Sequence, residues 1–452
     1  MKEKIMPDVI NNERKKFIHE LIQNSIISKD QLRTEQLEND LTKIFLEVES
    51  IIKNTDINNV SQVYYTIIDY FFTKIDLIVK NTPGLTIGVK DVISNGELCI
   101  YYGKTSDKIN AKKIDEDTRF DLASVSKLFT AISVLKCSEK GKLKLQDPVH
   151  KYNNKFVNLK NISIEDTAKF YYQINTDGRL DVVDSREQLL SNLYNSTVVK
   201  SNTQVYSDIP YIILGEVLNS VGNPFEDIFH KELGLIRTDY DTQNATITGG
   251  NYDSLNSIHD KKAQRMIDYG FEKPGHAGIY GTSEDLNKLG SALLREGFLT
   301  EESKKILTTP AQNERQFEKE GKLVNRNRGM GVYIQTEKGI TESDIAIQAS
   351  KDTYATSGTT GPYMLIDPLN KFTFNYCCNP YSKEGGCVPI MVNGQQKRWS
   401  GVSNIIKTEL VYLVYELRFA YNIYRNIAIT LDDANLAQEV ENVFGSKHVV
   451  RK

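Results

Sequence analysis

Strand-forming sequence lies at two widely separated places in this 452-residue chain, and that separation limits the folds open to it. After Pro83-Gly84, the runs LTIGVKDV and ELCIYYGKT, rich in β-branched and aromatic residues, flank Ser94-Asn95-Gly96 and read as a hairpin. Strand signals return only in MGVYIQ (Met330 to Gln335), DIAIQAS (Asp344 to Ser350), YMLIDP (Tyr363 to Pro368) and FTFNYCC (Phe372 to Cys378). The intervening pattern is mainly helical. A sheet built from both ends of the chain must therefore enclose a helical insertion, at about residues 135–325. A last helix, expected over about residues 402–427, carries Leu410, Val414, Leu417, Tyr421 and Tyr424 on one face and should close over that sheet.

Two amphipathic helices precede the hairpin. Leu37, Leu41, Ile44, Val48 and Ile51, then Val63, Ile67, Phe71, Ile75 and Ile78, recur in steps of three and four and define one stripe on each. The stripes must bury against each other, the main domain or a second copy of the chain, and docking on the same chain is the expectation. The division predicted is a helical extension over 1–82, a main domain over 83–430 with its sheet from 83–120 and 326–430, and a tail over 431–452.

Charge excludes broad classes of partner. Fifty-six basic residues against fifty-nine acidic leave a net charge of -3, so no whole-chain field exists to hold nucleic acid or an anionic membrane. The most apolar stretches are interrupted by Asp69, Lys74 and Asp76, and by Glu409, Glu416, Arg418 and Arg425, so neither is expected to span a bilayer. The first residues, MKEKIMPDVINNERKKF, lack the apolar run of a secretory signal, and the five cysteines (Cys99, Cys137, Cys377, Cys378, Cys387) lack C-x-x-C pairs. Together these point to the cytoplasm and to buried thiols.

Among chemistry-bearing residues, His259 and His276 have no Cys or i, i+4 partner, so no metal site is expected. Without a P-loop or G-x-G-x-x-G, no nucleotide and no other cofactor is expected either. What remains is Ser three residues before Lys, which on a helix brings an amine beside a hydroxyl. The pattern occurs as Ser50 with Lys53, Ser124 with Lys127 and Ser133 with Lys136. Ser50 and Lys53 end an amphipathic helix, and Ser133 with Lys136 lies within one, where the backbone donors are already used. Ser124 falls where extended TRFDL turns into helical SKLFTAISVL, so free N–H groups and the positive dipole end favour a developing oxyanion there.

The segment FDLASVSKLFTAISVLKCSEKGKLKLQDPVHKY resembles the nucleophile region of the serine β-lactamase and penicillin-binding protein superfamily, in its class C-like branch of D,D-peptidases, esterases and amidases. The similarity continues through VYSDIPYIILGEVLNSVG, HDKKA, GHAGIYGTSEDLNKLGSALL, TSGTTGPYMLIDP and CNP, and covers roughly Pro83 to Arg425. It implies a β-lactamase/transpeptidase-like α/β (α+β) sandwich: a mainly antiparallel sheet flanked by helices, with the active site between sheet and insertion. It also implies that Ser124 is the acylated nucleophile, Lys127 its neighbouring base and Tyr206 a proton shuttle. Which of Lys127 and Tyr206 takes the first proton stays open. Burial and nearby cationic or donor groups would pull a lysine toward about 7 to 8, where it can act as a base.

Three elements depart from the family pattern. Asp208 stands where the Y-x-N element has Asn; a carboxylate cannot donate to a substrate carbonyl, so it is expected to hold Lys127 instead. The element that is K-T-G or H-T-G in relatives falls on Thr356-Ser357-Gly358, and its cation is gone. Gly358 still permits close approach, and the N–H of Thr359 is implied to form an oxyanion hole with that of Ser124. Lys169-Phe170-Tyr171-Tyr172 replaces a leucine-leucine-threonine-histidine type segment and implies a remodelled cleft. Arg179, Lys200 and Arg398 are candidates to restore the cation. The expected function is hydrolysis of a small ester, amide or short peptide through an acyl-enzyme. A β-lactamase or D,D-peptidase is the alternative, and a catalytically silent binding protein on the same fold is another.

Overall fold

The computed structural model describes residues 2–79, 82–106, 110–199, 205–241, 260–310, 316–319, 322–325, 328–335, 345–378, 390–392, 395–397 and 399–452. Three helices open the chain: α1 (Lys2–Asn24), α2 (Gln31–Ile52) and α3 (Val60–Val79). The hairpin of β1 (Gly84–Asp91) and β2 (Glu97–Gly103) follows, with Asn95 taking the left-handed conformation its turn requires (φ 61°). The insertion includes α4 (Ser126–Glu139), α5 (Ile209–Ser220), α6 (Lys261–Asp268) and α7 (Ser283–Leu294). Strands β3 (Tyr333–Ile334), β4 (Tyr354–Ser357), β5 (Tyr363–Asp367) and β6 (Phe372–Cys378) complete the late half of the sheet. The chain ends with α8 (Trp399–Thr430), α9 (Ala434–Phe444) and β7 (Lys447–Arg451).

The sheet has the order β7-β2-β1-β6-β5-β4-β3. Every pairing is antiparallel except that of β7 with β2. Because successive strand side chains point to opposite faces, the sheet feeds two cores. Leu85, Ile87, Leu365, Phe372 and Phe374 join one core with the stripes of α2 and α3 and with α8; Cys99, Tyr101, Met364, Ile366 and Cys377 join the other, with the insertion helices. The early helices therefore bury on their own chain. Leu37, Leu41, Val48, Val63, Ile67, Phe71 and Ile75 are buried, whereas Ile51, counted in the stripe, is 37% exposed in the last turn of α2.

Two expectations are corrected. Ile345–Ser350 is turn, not strand: Ile345 is buried while Ile347 is exposed, although a strand would put both on one face. Its polar groups are met by a turn bond and by side chains rather than by a strand ladder: Ala349 N donates to Ala346 O at 3.1 Å, Tyr415 Oη to Gln348 O at 2.8 Å, and Ser350 N and Oγ to the Asp367 carboxylate at 2.9 and 2.6 Å. The segment over 431–452 is not a loose tail. Asp433 caps α9 by accepting from Leu436 N at 3.0 Å, Val440 and Phe444 are buried, and β7 adds a parallel edge strand in the register Lys447↔Glu97 to Arg451↔Tyr101. A five-residue, half-exposed edge strand carries too little apolar pattern to announce itself. Cys99, Cys137, Cys377 and Cys378 are buried free thiols, and among the described residues no helix is long and apolar enough to cross a membrane. His259, Lys200, Arg398 and Cys387 lie outside the described residues.

Candidate active site

The turn that carries Ser124 is held from three sides. Phe120–Asp121 pairs with Tyr280–Gly281 of the GHAGIYG segment, and Leu122 N donates to Ile279 O at 2.9 Å. A short 3₁₀ turn, Ala123–Val125, then runs into α4. Ala123 sits at φ 44°, a conformation that costs a non-glycine residue about 1 kcal/mol, and its N–H is held by Asp121 Oδ1 at 2.7 Å. The tight turn delivers Ser124 at the open N-terminal end of α4, as the sequence pattern implied.

Lys127 is almost wholly buried one turn on. Its ammonium donates to Ser124 Oγ at 3.0 Å, Asp208 Oδ1 at 2.8 Å and the His276 carbonyl at 3.1 Å, so all three of its protons have acceptors. Burial favours loss of the proton, but Tyr206 and Asp208 outweigh it, and Lys127 holds its proton more tightly than a free lysine. The expected fall toward neutrality is thus reversed, because Tyr206 and, after it, Asp208 favour the protonated amine by more than burial disfavours it.

Asp208 stands before α5 but makes no capping bond; its side chain serves the lysines instead. Despite burial, Lys127, His276 and Lys262 hold its carboxyl well below the usual range. Tyr206, 36% exposed, has its ring 5.1 Å from Lys127 Nζ and 5.1 Å from the Phe170 ring. Phe170 itself is at φ 55° and packs on Tyr211, so the altered Lys169–Tyr172 segment builds the wall behind Tyr206.

The third element closes the site. Thr356 and Ser357 end β4; Thr356 is buried, and Ser357 Oγ donates to Tyr333 Oη at 3.3 Å. Gly358 lies so close to the nucleophile turn that a Cβ would come within 2.6 Å of Leu122 O and 3.1 Å of Ala123 Cβ. Thr360 Oγ1 donates to Asp121 O at 2.8 Å, pinning the turn that carries Thr359 against the residues before Ser124.

Sequence reasoning missed Arg328, Asp260 and Lys262 here. Arg328, nearly buried, holds its guanidinium 4.2 Å from the Tyr206 ring and 4.1 Å from that of Tyr333. It precedes a G-x-G step in which a Cβ on Gly331 would lie 3.0 Å from the Lys127 carbonyl, so this loop packs directly on the nucleophile helix. Asp260 and Lys262 come from the HDKKA segment, whose histidine is the residue that metal-ligand spacing singles out. Asp208, Asp260 and His276 bring one ligand atom each within 4.8 Å of one another, a set that could hold a cation. The cation present is Lys262, at 3.1 Å from Asp208 and 3.4 Å from Asp260. Arg179, a candidate to replace the missing charge, is instead paired with Asp181 on the surface.

A family model described as Beta-lactamase matches residues 80–388. The chain is 24% identical over 323 residues to a protein of Escherichia coli (strain K12) named "Putative D-alanyl-D-alanine carboxypeptidase", covering 60% of this chain and 71% of that one. Its namesake in Escherichia coli O157:H7 is 23% identical over 310 residues, with coverages of 57% and 68%. Among solved structures, a class C beta lactamase superposes with a TM-score of 0.58 at 17% identity, over 79% of this chain and 99% of that chain. A class C beta lactamase from Rhodobacter sphaeroides gives a TM-score of 0.53 at 16% identity, over 78% and 99%. At these identities the structural likeness is one of fold.

Proposed function

We propose that this chain, which belongs to the beta-lactamase family, is a serine hydrolase that cleaves a small ester, amide or short peptide through an acyl-enzyme on Ser124. The observation that carries the reading is the Lys127 ammonium, buried and bonded at once to Ser124 Oγ and Asp208. A silent scaffold has no use for a buried charge aimed at a hydroxyl in a strained turn.

In this reading Ser124 Oγ attacks the substrate carbonyl while its proton passes to Tyr206, which the step requires as its phenolate, because Lys127 already holds a full complement of protons. Two cations stand beside this tyrosine, Lys127 Nζ at 5.1 Å and the Arg328 guanidinium at 4.2 Å from the centre of the Tyr206 ring. The N–H groups of Ser124 and Thr359 receive the oxyanion, each donor worth about 100- to 1000-fold. Tyr206 returns the proton to the leaving group, and the same steps with water release the acid. The test is a fluorophosphonate label read by intact mass and peptide mapping. One adduct on Ser124, absent from Ser124→Ala, is expected; label on Ser133 or Ser50, or none at all, overturns the reading.

A second reading concerns substrate charge. Thr356 offers no cation and is buried, which favours neutral esters and amides. The Arg328 guanidinium beside Tyr206 favours the opposite, a substrate with a carboxylate, as β-lactams and D-Ala-D-Ala peptides have. Two ester substrates that differ only in a terminal carboxylate against its amide separate these readings.

The helices over 1–82 are proposed as an accessory layer, since they share the core on the sheet face away from the insertion helices and Ser124.

A further inference from the structure

Acyl transfer as set out above makes no use of Lys262, yet Lys262 reaches into the same cluster. It lies in the first turn of α6, whose N-cap Asp260 accepts from Lys262 N and Ala263 N, both at 2.9 Å. From there its ammonium bridges the two carboxylates, 3.1 Å from Asp208 Oδ2 and 3.4 Å from Asp260 Oδ2. Asp208 thus presents one oxygen to each lysine, since its Oδ1 is 2.8 Å from Lys127. On the far side His276, with no exposed surface, meets Asp260 Oδ1 at 3.0 Å through Nε2, and its own carbonyl accepts from Lys127 at 3.1 Å. The contacts close into a ring of Lys127, Asp208, Lys262, Asp260 and His276, drawn from the nucleophile helix, the segment before α5 and both ends of 260–276.

Two cations that share one carboxylate weaken each other's hold on it, and in a poorly hydrated site the mutual repulsion is only partly screened. We infer that Lys262 is a positioning residue of this active site: it pins Asp208 so that one oxygen faces Lys127, and its charge offsets that of Asp208, which would otherwise oppose the negative charge needed on the base that takes the Ser124 proton. The inference rests on the reading of Ser124 as the acylated nucleophile. The groups that face Lys127 are Ser124, Tyr206, Asp208 and the His276 carbonyl, with Arg328 beyond the Tyr206 ring. Lys262 is the cation on the Asp208 side, and Asp260 is the anion that holds Lys262 back from it.

This arrangement gives substitutions of opposite sign. The readout is the rate of Ser124 labelling by a fluorophosphonate as a function of pH, which needs no knowledge of the natural substrate. Removing the ammonium in Lys262→Met leaves the Asp208 carboxylate without its second cation, which disfavours a negative charge on the base beside Ser124, so the acidic limb moves up by about one pH unit, roughly tenfold slower labelling at a fixed pH on the limb. Lys262→Arg keeps the charge and leaves the limb near its wild-type position. Asp260→Asn, which still caps α6, removes an anion and frees Lys262 to lean on Asp208, so the limb moves down. Should Lys262→Met fail to fold, the downward shift in Asp260→Asn and the retained limb in Lys262→Arg still decide. Wild type labelled at Ser124, with limbs that stay put in the folded variants or move the same way in both charge-removing ones, overturns the inference alone. Wild type not labelled at Ser124 overturns the acyl-enzyme reading, and the inference with it.

Discussion

Helix α4 and the turn before it hold two Ser-x-x-Lys pairs with the same spacing and different surroundings. Lys127 and Lys136 are both buried along their stems, and each is 2.8 Å from a carboxylate, Asp208 in one case and Glu232 in the other. Lys127 also donates to Ser124, which sits outside the regular helix in a strained turn. Lys136 turns away instead, toward Glu232 and the Phe298 ring at 4.4 Å, and Ser133 is buried inside the helix. The i, i+3 spacing sets only which side chains share a face. A nucleophile also needs unspent backbone donors and an approach for a carbonyl, and only a helix start beside a cleft offers both.

The sharpest way to break this comparison is to delete each hydroxyl. Ser124→Ala should lose labelling and turnover by at least about 10³-fold, whereas Ser133→Ala should label at the wild-type rate. Equal losses would mean that the two sites are not different in kind. Lys127→Met should also fall by about 10³-fold or more, because it removes the cation that aligns Ser124 and steadies Tyr206.

Acid should tell the two pairs apart as well. The Asp208 and Asp260 carboxyls are held well below the usual range by Lys127, Lys262 and His276, against the opposing effect of burial. Their contribution to stability is therefore complete above the unfolded value of about 3.9 and is lost as pH falls through it toward the folded values. Thermal melts from pH 6 to pH 3 should show wild type losing more stability than Asp208→Asn, which has no such carboxylate to protonate. Parallel curves would mean that Asp208 is not tied to the lysines in solution.

A smaller effect tests what else surrounds Tyr206. If Arg328 is the cation that Thr356 no longer supplies, Arg328→Gln should cost a carboxylate-bearing ester roughly 10- to 150-fold more than its amide twin, the worth of one charge-assisted bond of about 1.5 to 3 kcal/mol. Thr356→Lys should then restore part of the preference. Equal losses on both esters would leave Arg328 as support for Tyr206 alone and return neutral substrates to first place.

What was legible in the sequence follows the range of the physics. The Ser124–Lys127 pair, the helix start beneath it and the alternation of the strands are local, so neighbouring residues encode them. Tyr206, Asp208 and Gly358 were reachable only because whole segments resemble a family. The direction in which Lys127 is shifted was not legible, since it depends on Tyr206 and on Asp208, the latter 81 residues away, and on their balance against burial. Arg328 and Lys262 escaped for the same reason: an arginine before a G-x-G step and a lysine after a helix cap look like solvated charges until the fold brings Tyr206 and Asp208 to them. The β7 edge escaped because it is short and half exposed, with its partner strand near the other end of the chain.

The smallest effect is the most specific to the comparison. In Lys136→Met the replacement keeps most of the apolar stem and its packing on Phe298, and removes the partner of Glu232, whose side chain is 40% exposed and can take up water. The pair is therefore worth about 1 kcal/mol or less, and for a chain of this size Tm should fall by about 1 to 3 °C. Ser124 labelling and its pH dependence should not move. If Lys136→Met instead slowed labelling tenfold while the fold stayed intact, charge would be carried along α4 from one pair to the other. The contrast drawn between them would then reduce to distance along one helix rather than a difference in surroundings.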